Sequence, residues 1–169
     1  MKSIHIALLM MVKNESYRIH VTLESIKNVV DSIIIYDTGS TDNTIDIIRT
    51  FCTMNDIPFR LKIGEFVNFS ESRNVSLDFA DTFLDTDYLL LLDCNDELRG
   101  GKYLKNFCKD QIDSVDNTAF LVTQEWWSGQ HDKYFNIRLI KPRNGWRYKG
   151  VVHEWITKLD SETITGLIV

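Results

Sequence analysis

Apolar positions along the chain change their period several times, and each change marks an element. Residues 4–12 are almost continuously apolar, which suits a strand covered on both faces. Ile19, Leu23, Ile26 and Val30 then recur at spacings of four, three and four, the stripe of an amphipathic helix. Ser32–Asp37 reads as a second buried strand, rich in β-branched residues. Thr38-Gly39-Ser40 turns the chain toward a helix that Asp42 can cap and that carries Ile45, Ile48 and Phe51. Pro58 precedes a third strand, Phe59–Ile63; a helix follows from near Ser70 to Phe83, and residues 88–92 form a fourth strand. This alternation predicts an α/β fold: a Rossmann-like, mostly parallel sheet flanked by helices on both faces. After Gly100-Gly101 the pattern turns irregular. Short strands are expected over residues 120–125, 135–140 and 151–156, with a turn at Asn144-Gly145 and a last hairpin about Asp160-Ser161-Glu162. Nothing in the pattern marks a repeat or a linker, so residues 1–169 read as one domain with an irregular C-terminal half.

Composition agrees with this picture and narrows the function. A chain of 169 residues with 44% apolar and 25% charged positions can build its own core, burying roughly 70% of its unfolded surface. Basic residues number 19 and acidic ones 24, giving a formal charge of −5. That balance argues against a nucleic-acid partner, which needs a positive field. Three cysteines, Cys52, Cys94 and Cys108, are odd in number and lack the CxxC spacing of a zinc site. They fit a reducing, cytoplasmic location. The N-terminal apolar run superficially resembles a signal peptide, but it is short, His5 interrupts it, and Lys13-Asn14-Glu15 stands where a cleavage site would be. No stretch approaches the roughly 20 apolar residues of a membrane span.

Ligands of open parallel sheets bind beyond the carboxyl ends of the strands. Three polar clusters are expected on that rim: Lys13-Asn14-Glu15, Asp37-Thr38-Gly39-Ser40 and Asp93-Cys94-Asn95-Asp96-Glu97. Asp37 can accept hydrogen bonds from a base or ribose, or merely shape its turn. A buried strand ending in several carboxylates concentrates like charge, which is costly unless a cation sits there. Oxygen ligands of this kind suit Mg²⁺ or Mn²⁺; the alternative is a solvated acidic loop leading to a helix. Arg73 and Asn74 lie near the start of the third helix, where an arginine and free amides suit phosphate, unless Arg73 pairs with a surface acid.

Five stretches together carry a resemblance: Met11-Val12-Lys13-Asn14-Glu15, Asp37-Thr38-Gly39-Ser40-Thr41-Asp42, Ser72-Arg73-Asn74, Leu91-Leu92-Asp93-Cys94-Asn95-Asp96-Glu97 and Tyr148-Lys149-Gly150-Val151-Val152-His153-Glu154. In this order they resemble family 2 glycosyltransferases of the GT-A fold, over residues 4–156. The resemblance implies transfer of a sugar from a nucleotide-diphosphate sugar, most often a UDP-sugar, to the hydroxyl of a glycan, protein or small-molecule acceptor. Residues 1–99 would bind the donor and residues 100–169 would face the acceptor. Asp37 would lie against the nucleobase, with Thr38, Gly39, Val12, Asn14 and Glu15 beside it; Arg73, Asn74, Asp93 and Cys94 would complete the donor site. Asp93 and Asn95 match the family's Asp-x-Asp signature, with Asn in place of the second acid. The implied Mn²⁺ or Mg²⁺ would take Asp93, Asn95 or Asp96, and His153.

An inverting transferase needs a base for the acceptor hydroxyl. Glu125, which precedes Trp126-Trp127, is the first choice and Glu154 the second; the indoles suit a sugar-stacking wall or a core equally. Without a metal, Arg73, Lys149 or Arg147 would have to supply the charge. A non-catalytic nucleotide- or glycan-binding relic is the competing reading, favoured by Asn95. A nucleotidyltransferase would want a glycine-rich first loop and a dinucleotide oxidoreductase a GxGxxG; residues 11–16 have neither.

Overall fold

The structure, a computed structural model, describes residues 3–126 and 133–158. Its elements run β1 (Ile6–Val12), α1 (Ile19–Ile26), β2 (Ser32–Asp37), α2 (Thr44–Met54), β3 (Phe59–Ile63), α3 (Phe69–Asp81), β4 (Tyr88–Leu91), α4 (Gly101–Gln111), β5 (Ala119–Glu125), β6 (Lys133–Ile140), β7 (Trp146–Lys149) and β8 (Trp155–Lys158). Six strands form one sheet in the order β3-β2-β1-β4-β6-β5, and β7 and β8 pair by themselves. The first four strands are mutually parallel, whereas β6 runs antiparallel to β4.

The period-2 rule explains both faces. Ile6, Leu8, Met10 and Val12 of β1 join Ile33, Ile35 and Leu90 beneath Ile19, Leu23 and Ile26 of α1, Ile48 and Cys52 of α2, and Leu104 and Cys108 of α4. Ala7, Leu9, Ile34, Leu89 and Leu91 point the other way, onto Leu77 and Ala80 of α3 and onto Trp146 and Ile156 of the small sheet. Strands buried on two faces need the continuous apolar runs seen in the sequence. Gly64 follows β3 because the Tyr36 ring occupies the space of a side chain there.

Two differences from the sequence reading concern the second half. Residues 101–111 are a helix, a stretch to which the sequence reading assigned no element; Leu104 and Cys108, four apart, are the stripe that fixes it. Residues 151–154 are not strand: the chain forms β7 first, turns through Gly150 at φ 95°, and only then enters β8. Trp155 thus pairs back onto Lys149. The hairpin expected about Asp160 lies outside the described residues. The turn at Asn144-Gly145 is present, with Gly145 at φ 76°. No described helix is long and apolar enough to cross a membrane.

Candidate functional site

The carboxyl ends of β1, β2 and β4 bring the three expected polar clusters to one rim, and the β1 and β2 loops are tied together there. Asn14, at φ 54°, accepts the Thr41 N–H at 2.7 Å on its side-chain oxygen and donates its own backbone N–H to Ser40 Oγ at 3.0 Å. Asp42 accepts Ser16 N–H at 3.1 Å and Thr44 N–H at 3.0 Å, so it caps α2 and tethers the neighbouring loop at once. The Thr44 hydroxyl accepts the Glu15 N–H, while the Glu15 carboxylate pairs with Arg18. Asp37 is buried, and both its oxygens accept the Ser40 N–H, at 3.1 and 3.2 Å. Thr38 is buried too, its N–H and hydroxyl both directed at the Val12 carbonyl. Gly39 takes φ 96°, which a side chain would strain. Asp37 therefore shapes its turn, and what it offers a base is the remaining acceptor capacity of its two oxygens.

Asp93, just past β4, is the centre of an ion-pair network. Arg73 Nη2 donates to its Oδ1 at 2.7 Å and Arg138 Nη1 to its Oδ2 at 3.2 Å. The other side of Arg73 donates, through Nε, to Glu154 at 2.9 Å. Asp96 turns back to accept the Asp93 N–H at 2.9 Å and lies 3.8 Å from Arg138. Burial pushes the Asp93 carboxyl up, but the charges and hydrogen bonds of the two arginines outweigh it, and the net direction is down. For Asp96 burial wins over the Asp93 N–H and Arg138, and its carboxyl moves up. Cys94 is buried against the Met11 carbonyl, and burial pushes its thiol up to about 12. Its packing is that of a small apolar side chain.

The sequence did not single out Arg138. It sits on β6, and the pairing of Leu90 with Leu139 places it beside the end of β4, where it also reaches the Leu91 carbonyl. An isolated arginine alternating with buried Ile137 and Leu139 was the available signal. Asn74 is a hook: its amide donates to the Tyr148 carbonyl at 2.9 Å and accepts the Tyr148 N–H at 2.7 Å, hanging β7 on α3. Arg147, a candidate counter-charge, is held by Asp78 at 2.7 Å. Glu125 is exposed and pairs with Lys133, whose hydrogen bond lowers its carboxyl. Gln124 reaches Arg138, so strand alternation turns Glu125 to the opposite face. Trp126 is exposed beside it, and Trp127 lies outside the described residues. Glu154, by contrast, shares Arg73 with Asp93.

The residues read as a cation shell do not assemble as one. Asp93 has both oxygens on guanidiniums, Asp96 faces a backbone N–H, and Asn95 and His153 are exposed. Among the described residues no three His, Cys, Asp or Glu side chains are gathered so as to hold a metal ion. A hard cation wants several free oxygen ligands, and this donor set does not fit one.

A mostly parallel sheet and a carboxylate just past β4 are features that the resemblance in sequence leads one to expect. The Glycosyl transferase family 2 profile matches residues 7–157. The chain belongs to this family. Among curated relatives, the SPbeta prophage-derived glycosyltransferase SunS of Bacillus subtilis is 39% identical over 83 residues, covering 46% of this chain and 19% of SunS. A TPR repeat-containing protein of Synechococcus elongatus is 28% identical over 153 residues, covering 89% of this chain and 35% of that one. The chain thus spans between about a fifth and a third of the length of these relatives. The structure of S. aureus TarS 1-349 in complex with UDP-GlcNAc superposes with a TM-score of 0.59 at 18% identity, covering 76% of this chain and 37% of that one. The mannosyltransferase PcManGT of Pyrobaculum calidifontis, in complex with GDP-Man and Mn²⁺, gives 0.54 at 19% identity, covering 72% and 35%. The fold of this family 2 chain is GT-A.

Proposed function

We propose that the chain transfers a sugar, with inversion, from a nucleotide-diphosphate sugar, by preference a UDP-sugar, to an acceptor hydroxyl. The observation that carries the reading is Asp93 at the end of β4, held ionised by Arg73 and Arg138 and joined through Arg73 to Glu154. An acceptor-only carboxylate on this rim suits the hydroxyls of a ribose, and Asp37 on β2 suits a nucleobase. That TarS was solved with UDP-GlcNAc and PcManGT with GDP-Man supports a nucleotide-sugar donor on this fold.

In the reaction the acceptor oxygen attacks the anomeric carbon in line. The bond from that carbon to the diphosphate oxygen breaks, and the electron pair leaves with the nucleoside diphosphate. The hydroxyl proton passes to a carboxylate. We assign that role to Glu154, which is fixed beside the Asp93 cluster, rather than to Glu125, which lies on the other face of β5. Stabilising the leaving group is the larger contribution, since charge develops there. Asn95, exposed where the family signature has an acid, favours the one alternative: a nucleotide-binding relic without turnover.

Calorimetry with UDP and GDP on the wild type and Asp93→Asn tests the donor site, and a sugar-nucleotide turnover panel with Glu154→Gln tests the chemistry. UDP should bind the wild type and lose affinity in Asp93→Asn. Glu154→Gln should keep UDP affinity and lose about 10²–10⁴-fold in turnover. Binding without turnover of any sugar nucleotide would leave the relic, and no nucleotide binding at all would overturn the donor site.

A further inference from the structure

Two guanidiniums in the cluster face three carboxylates, and every acid already has a partner. Asp93 engages Arg73 through one oxygen and Arg138 through the other. Glu154 takes Arg73 Nε. Asp96 takes the Asp93 N–H and lies beside Arg138. A divalent cation entering here would compete with both arginines for the Asp93 oxygens and weaken the pairing of two largely buried guanidiniums. The two guanidiniums also offset most of the carboxylate charge, so little negative field is left to attract a cation. Asn95 adds no negative charge to offset this. Arg138 meanwhile keeps donor capacity in reserve: its Nε is buried with no partner among the described residues.

Resting on the donor reading above, we infer that this chain binds its nucleotide-diphosphate donor without a divalent cation, with Arg73 and Arg138 supplying the positive charge the diphosphate requires. A guanidinium suits this role because it is permanently charged and weakly hydrated, and its forked donors match phosphate oxygens. Asp93 then acts as the element that holds both forks in place until the diphosphate arrives. Arg147, which the sequence also offered, pairs with Asp78 and not with the Asp93 cluster.

The decisive experiment is calorimetry of UDP and of uridine against the wild-type chain, once in excess EDTA and once in excess Mn²⁺. The UDP dissociation constant should differ by less than about threefold between the two conditions. Electron paramagnetic resonance of a Mn²⁺ titration should show no ion retained by the nucleotide-free protein. Arg138→Lys, which keeps the charge and loses the fork, should weaken UDP by about tenfold and leave uridine unchanged. UDP binding that appears only with Mn²⁺ would overturn the inference while leaving the donor reading intact. Equal losses of UDP and uridine in Arg138→Lys would remove the arginine from the diphosphate. No binding of UDP or GDP in either condition would overturn both.

Discussion

The parallel half and the antiparallel half of this chain handle polar groups in opposite ways. In β1, β2 and their loops, the rim side chains Asn14, Asp37 and Asp42 bond within their own loop or the neighbouring one. Asp37 bonds Ser40, Asn14 bonds Thr41, and Asp42 bonds Ser16 and Thr44. Beyond β4 the partners are distant in sequence: Asp93 takes Arg138, Arg73 takes Glu154, and Asn74 takes Tyr148. The lesson is that the β1 and β2 loops order each other. The ion pairs around Asp93 exist only once the second half has docked.

Three substitutions put this contrast at risk. Arg138→Met should cost the most, about 3 kcal/mol by urea unfolding, because it leaves Asp93 and Asp96 short of a cation. That is the lower end for a severed buried pair, since 34% of the Asp93 side chain meets water. A folded variant of unchanged stability would show that the two halves do not depend on this contact. Asn74→Ala should cost about 1–2 kcal/mol. Its signature is local: amides of Trp146–Lys149 should lose hydrogen-exchange protection while those of Ile6–Val12 keep theirs. Uniform loss across both sheets would refute the hook.

The smallest effect is expected at Asp96. Its carboxyl is harder to ionise in the fold than in the unfolded chain, so ionisation on raising pH removes stability. Asp93 behaves oppositely: its folded value is lowered, so its contribution is complete above the ordinary carboxylate range and disappears as acid protonates the folded form. Asp96→Asn should therefore be more stable than wild type by under about 1 kcal/mol at pH 7. The gap should close in acid, where wild-type Asp96 is already neutral. A gap that widens in acid would reverse the assigned direction.

Much of the parallel half was legible because its strands are buried on both faces and its helices carry one stripe each. Continuous runs such as Ser32–Asp37 and four-three spacings such as Ile19, Leu23 and Ile26 have few other structural solutions. The rim clusters followed from topology alone. Legibility failed where partners come from far away. Arg138 reads as one more polar residue in an alternating strand until the β4–β6 register sets it beside Leu91. Asn74 reads as a ligand until Tyr148 is found opposite it. Neighbouring tryptophans favoured Glu125, but a side-chain period of two decides its face, and the sequence contained no register to apply it to. Gly150 hid the small sheet, since its left-handed turn splits a run that otherwise reads as continuous strand.

The antiparallel entry of β6 beside β4 has a consequence for how this chain can be divided. A fragment ending near residue 99 would retain four parallel strands yet leave Leu89–Leu91 as a bare, greasy margin, open to pairing with any passing strand. The apolar face now covered by Trp146 and Ile156 would be stripped at the same time. The cut would also part Asp93 from Arg138 and Arg73 from Glu154, leaving each half with unmatched charge.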